Sequence, residues 1–232
     1  FRGERTPLNP CVSAWWAQKS GHSRGVHPPA VPNQNGGNSL FKSLKRSAKG
    51  ANVPHAKATA GLATVKMPTP EHVIIPMSMH IGAPAESVVK KGDTVMVGTL
   101  IGKAGGFVSA SIYSSVSGTV QDVAPMRMVN GSMTTAVAIK TDGEQTIDPA
   151  CVPPTVTDKP SLMAAVQNCG LVGVGGAGFP AHVKLAANTI DTLLINAAEC
   201  EPYLTTDCRE MLECSDTIIS GIEAVMKYCE IP

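Results

Sequence analysis

The chain has 232 residues, 43% hydrophobic and 16% charged, with a formal net charge of +1. That length suits one large domain or two small ones, and the composition is that of a soluble globular protein. The near-neutral balance excludes a global field that would gather nucleic acid or anionic lipid, and no run approaches the roughly 18 apolar residues of a membrane span.

No signal peptide is read at the N-terminus, and a start at Phe1 without an initiator Met is expected for a processed product or a fragment. Work at a membrane would then go through docking on partners. Residues 1–70 are rich in Pro, Gly, Ser, Asn and Lys with little periodicity, so a largely disordered extension and linker is expected. Within it, Phe41–Gly50 is a basic stretch that reads as solvated linker or as a contact for acidic lipid or a partner. Trp15 and Trp16 are unusual in such a tail.

Residues 71–149 turn to β-pattern. HVIIPM is a short strand interrupted by Pro76, VVKKGDTVMVGTLIGKA alternates strand residues with Gly-containing turns, and SSVSGTVQDV and TTAVAIKTDG complete the set. Short strands with regular turn signals predict a small sandwich or barrel. The wording resembles the barrel-sandwich domains of biotinyl and lipoyl carriers. Their swinging lysine is not matched: Met126-Arg127-Met128 follows SVSGTV and carries an arginine, which cannot form the carrier's amide link, so this triplet reads as a loop or strand edge.

Asp148–Pro160 is a proline-rich hinge leading into residues 150–232. SLMAAVQNCG predicts a helix with Ser161 as N-cap and Gly170 as C-cap. AHVKLAAN predicts a short helix, Thr192–Asn196 (TLLIN) a buried strand, and CREMLECSDTIISGIEAVMKYCEI one or two helices with Ile218, Ile219, Ile222, Val225 and Met226 on an apolar face. The helix, strand, helix order implies an α/β domain, part of which this chain carries. The fold class expected is thus α+β multidomain, a small all-β barrel-sandwich followed by part of an α/β domain. The seven cysteines form no C-x-x-C pair, and reduced thiols are the expectation, with no metal site.

The densest signal is GLVGVGGAGFPAHVKL, Gly170–Leu185, with five glycines from Gly170 to Gly178. A backbone bare at Gly173, Gly175, Gly176 and Gly178, with Ala177 between, can present several N–H groups to one anion. Lys184 adds a point charge, and a helix starting near Pro180 adds its N-terminus. The alternative is a tight packing loop. Asn196, Glu199 and Glu201 follow at the end of TLLIN, where α/β sheets gather ligands. An amide there suits a flavin or nicotinamide edge and carboxylates suit ribose hydroxyls. The bland reading has both glutamates exposed or capping the next helix.

GVGGAGFPAHVKL and LLINAAECEPYLTTDCREMLE resemble the C subunits of Rnf ion-pumping ferredoxin:NAD oxidoreductases. RGVHPP (24–29), VIIPMSMHIGAPAESVVKKGDTVMVGTLIG and SVSGTV resemble the N-terminal barrel-sandwich module of the same family. A more distant likeness is to the NADH-binding flavoprotein subunit of respiratory complex I; there Val174 stands for Arg, Ala198 for Asp and Cys200 for Gly. The resemblance implies an FMN wrapped by Gly173–Phe179, with Lys184 near its phosphate or the nucleotide, Asn196 on the flavin, and Glu199 and Glu201 lining the flavin and nicotinamide pocket. Phe179 either stacks on an NADH ring or packs in the core. It further implies FMN and NAD(H) as cofactors and [4Fe-4S] clusters only in a C-terminal region this chain does not carry. Partners would be other subunits of the Rnf-type complex, at the cytoplasmic side of the membrane, with no residue acting as acid or base. Two rivals are an electron-transfer flavoprotein of a soluble, proline-reductase-type enzyme and a docking module that has lost its flavin.

Overall fold

The structure, a computed structural model, describes residues 54–174, 176–187 and 190–232. Trp15 and Trp16, RGVHPP, the basic stretch 41–50 and Gly175 of the glycine loop lie outside the described residues. Those described form two compact units: Val65–Ile195 with Asp216–Pro232, and 54–64 with Asn196–Ser215.

The first unit begins with seven strands: β1 (His72–Pro76), β2 (Glu86–Ser87), β3 (Thr94–Val95), β4 (Leu100–Lys103), β5 (Ile112–Tyr113), β6 (Gly118–Arg127) and β7 (Met133–Thr141). They form two antiparallel sheets, one ordered β1-β7-β6-β3 and the other β2-β4-β5. Pro76 ends β1, where its missing N–H costs the sheet least. In β1 and β7 the register sets Val73 opposite Ile139 and Ile75 opposite Val137. Val137, Ile139, Val120, Val95 and Ile101 are fully buried, with Met77, Ala85, Ile112 and Val116 packed among them. Each such Val, Ile or Met contributes about 1.5–3 kcal/mol by leaving water. This is the barrel-sandwich fold the alternating pattern predicted.

The Ser-Gly-Thr signal has a steric cause. A Cβ on Gly118 would fall 2.1 Å from the carbonyl oxygen of Lys140, so only glycine lets β6 lie this close to β7. Met126 and Arg127 are the last residues of β6, and Met128 opens the hairpin turn, its N–H bonded to the Ser132 carbonyl at 2.8 Å. The triplet is strand end and turn, as expected.

After the barrel come α1 (Lys159–Asn168) and α2 (Ala181–Leu185), then α3 (Thr206–Glu213) and α4 (Ser215–Tyr228). The start of α1 corrects the expected cap. Asp158, not Ser161, is the N-cap: its carboxylate accepts the Ser161 N–H at 2.8 Å, and the Ser161 hydroxyl accepts the Asp158 N–H at 3.0 Å. Pro160 suits the first turn because its missing N–H would have no helical partner there. The C-cap is Cys169, with Gly170 one residue beyond. Leu162 and Val166 of α1 build a second small core with Cys229 and Ile231, against which Leu171, Ala181, Leu185, Val225 and Met226 pack.

TLLIN is not a strand. Thr192–Asn196 pairs with no strand among the described residues, and Leu194 and Ile195 are 86% and 55% exposed. Extended chain becomes a strand only where a neighbour takes its N–H and C=O groups, and apolar character alone does not supply one. No described helix is long and apolar enough to cross a membrane.

Candidate functional site: the glycine loop and the Glu199 turn

The glycine loop belongs to the first unit. Its neck is closed by an antiparallel bridge between Val172 and Pro180. The Gly173 N–H donates to the Phe179 carbonyl at 2.9 Å, and the Ala181 N–H to the Leu171 carbonyl at 2.9 Å. The N–H groups of Gly176 and Gly178 both turn inward to the Gly173 carbonyl, at 3.3 and 3.2 Å. These three glycine amides therefore satisfy the loop itself.

The glycines differ in why they are glycine. Gly178 has φ +68, and a Cβ there would lie 2.7 Å from the Met79 carbonyl oxygen and 2.8 Å from the Cα of His80, so its bareness serves packing on the barrel. Gly176 has no atom within 4 Å of a would-be Cβ, and neither it nor Gly173 has a positive φ. Packing and backbone conformation leave the bareness of Gly176 unexplained.

Lys184 reaches back from α2 to this surface. Its Nζ lies 5.6 Å from the centre of the half-buried Phe179 ring and 3.9 Å from the Cβ position of Gly173. An exposed ammonium so placed is held by the ring's negative face and stays available to an anion. With five residues, α2 adds little dipole of its own. Ala177 is exposed on the loop tip. A cavity of about 320 Å³ opens beside the loop's entry, between Met79–His80, the Ser111–Ser115 stretch and Gly170–Val172.

His182, the second residue of α2, carried no role in the sequence reading although it stands inside the glycine-loop motif. It is 2% exposed; its Nε2 donates to the Phe107 carbonyl at 2.7 Å, and the two rings meet edge to face. Its Nδ1 is buried without a partner. The histidine thus pins the helix that carries Lys184 onto the barrel's 104–109 loop.

Asn196, Glu199 and Glu201 belong to the second unit. Asn196 is exposed, and its Oδ1 accepts the Ala198 N–H at 3.0 Å, closing an Asx turn. Glu199 caps α3: its Oε1 accepts the Asp207 N–H at 2.9 Å, while Oε2 lies 3.5 Å from Lys57 Nζ. The capping alternative is thus realised for Glu199. Glu201 has an exposed side chain and a carbonyl engaged by Lys57. In α3, Arg209 pairs with Glu213 and holds its carboxyl below the usual range, helped by the Thr64 N–H. The six described cysteines form no disulfide.

Fold and loop together define a class: a barrel-sandwich hybrid module followed by a flavoprotein-type module. Residues 45–144 match the RnfC barrel-sandwich hybrid domain, and residues 166–232 match the Nuo51 FMN-binding domain. Over 164 residues, 68% of this chain and 37% of the relative, the chain is 44% identical to the C subunit of the Na(+)-translocating ferredoxin:NAD(+) oxidoreductase complex of Acetobacterium woodii. It is 40% identical over 182 residues, 75% of this chain and 40% of the relative, to the C subunit of the proton-translocating ferredoxin:NAD(+) oxidoreductase complex of Clostridium ljungdahlii. The C subunit of an ion-translocating oxidoreductase complex of Rhodobacter capsulatus is 40% identical over 195 residues, 79% of this chain and 37% of the relative. The chain is RnfC-like and corresponds to the N-terminal part of such proteins, spanning 37–40% of the length of these curated relatives.

Proposed function

We propose that this chain is the FMN- and NADH-binding portion of an electron-transfer subunit in an Rnf-type ion-translocating ferredoxin:NAD oxidoreductase. The observation that carries this is the pairing of Gly176, bare for no internal reason, with the Lys184 ammonium over the same loop. The match of residues 166–232 to an FMN-binding domain supports it. Bound FMN supplies the exchange between two-electron transfer with NADH and one-electron transfer with iron–sulfur clusters.

In this reading the loop Gly173–Phe179 presents its backbone to the flavin and Lys184 neutralises the phosphate or the nucleotide's diphosphate. Gly175 and Ala177 belong to the same wrap. Phe179 backs Lys184. The family resemblance alone assigns Asn196 to the flavin, and Glu199 and Glu201 to the flavin and nicotinamide pocket. The iron–sulfur clusters sit on residues other than these 232, and the partners are the remaining subunits of the complex. The protein is peripheral, on the cytoplasmic side of the membrane, and the membrane-embedded partners move the ion.

The test is a flavin-fluorescence titration of the chain with FMN, repeated with Lys184→Ala and Gly176→Val. Saturable binding that both substitutions weaken at least tenfold is the expected result. A tenfold loss corresponds to about 1.4 kcal/mol, within what one charge-assisted phosphate contact contributes. Equal binding in all three proteins overturns the assignment of the loop, and no binding by this chain or by a full-length relative leaves the docking-module reading in its place.

A further inference from the structure

Lys57 lies far from the glycine loop in sequence and in no motif, yet its ammonium has a complete set of acceptors. Nζ donates to the carbonyl oxygens of Leu204 at 2.5 Å, Glu201 at 2.8 Å and Glu199 at 3.3 Å, with the Glu199 carboxylate at 3.5 Å. Three main-chain carbonyls and a carboxylate thus surround one positive charge. An ammonium has three donors, so every proton of Lys57 is used.

The turn so held needs holding. Tyr203 sits within it at φ +69, a left-handed conformation that a non-glycine residue keeps only where its surroundings over-determine it. The same short segment supplies the other ties. The His55 carbonyl accepts the Tyr203 N–H at 3.0 Å, the Thr59 and Thr205 hydroxyls are 2.7 Å apart, and the Thr64 N–H reaches the Glu213 carboxylate at 3.0 Å. Residues 54–64 therefore lie as a strap along the Glu199–Glu213 segment, all within the second unit.

We infer that Lys57 is a built-in cation that nucleates the Glu199–Leu204 turn, and thereby a positioning residue for Glu199 and Glu201. Its role in the turn stands on these contacts; its role in positioning a ligand rests on the flavin reading.

The experiment takes the chain with Lys57→Ala and, to keep the apolar stem while removing the charge, Lys57→Met. Mass spectrometry follows the initial rate of chymotryptic cleavage at Tyr203. Both variants are expected to be cut about tenfold faster than the parent, and methylammonium chloride is expected to restore protection to Lys57→Ala, whose truncation leaves room for its carbon and its head. Tetramethylammonium chloride, matched for ionic strength, is too large and restores nothing. Unchanged cleavage in both variants overturns the inference, as does faster cleavage of Lys57→Ala that methylammonium and tetramethylammonium relieve equally or not at all. If the parent binds no FMN the flavin reading fails, and cleavage still decides the role of Lys57.

Discussion

Gly178 and Met79 are in backbone contact: a Cβ on the glycine would come within 2.7 Å of the Met79 carbonyl oxygen. This places the rear of the glycine loop against the barrel, two residues after Gly176 faces open space. One run of glycines therefore answers two demands, and substitution separates them.

Gly178→Ala must relieve both the clash and a φ of +68. It is expected to lower unfolding stability by about 2 kcal/mol or more. Gly176→Val, with nothing within 4 Å of its Cβ, is expected to stay within about 0.5 kcal/mol of the parent. Urea denaturation of the two variants side by side checks this, and a large loss in Gly176→Val would assign that glycine to packing.

The barrel's long loop ends carry a pH dependence. The Thr99 hydroxyl, donating at 2.6 Å, and then the Ala150 N–H hold the Asp148 carboxyl below its usual range. The Ser117 hydroxyl and then the Glu144 N–H do the same for Asp142. A carboxyl whose folded value is depressed adds stability above its unfolded value of about 4, and that stability is lost as pH falls through the folded value. Stability is thus expected to be flat from neutral pH to about 5 and to fall below about 4, with a shallower fall in Asp148→Asn. Urea midpoints at pH values above, near and below that threshold measure it; an equally steep fall in the variant counts against the Thr99–Asp148 pair.

The barrel core is read by Ile139→Ala. Ile139 is fully buried in β7 opposite Val73, and its truncation is expected to cost about 2–5 kcal/mol. A smaller loss in thermal or urea unfolding would mean that the two sheets collapse around the space.

The barrel was legible along the chain because a strand's alternation is written in its nearest neighbours: Val73, Ile75, Val137 and Ile139 point inward wherever their partners come from. The glycine loop and Lys184 were legible for the same reason, since one unbroken run, Gly173–Leu185, carries them. Where only long-range partners decide, the letters misled or left a choice open. TLLIN has the letters of a strand and no partner strand among the described residues. Ser161 looked like a cap until Asp158, three residues earlier, took the role through its carboxylate. The Glu199 carboxylate meets the α3 N-terminus and Lys57, 142 residues away, contacts that no local pattern announces. Lys57 itself carried no signal, because an ammonium's partners are carbonyls that every residue possesses, and only the folded chain brings three of them to one point.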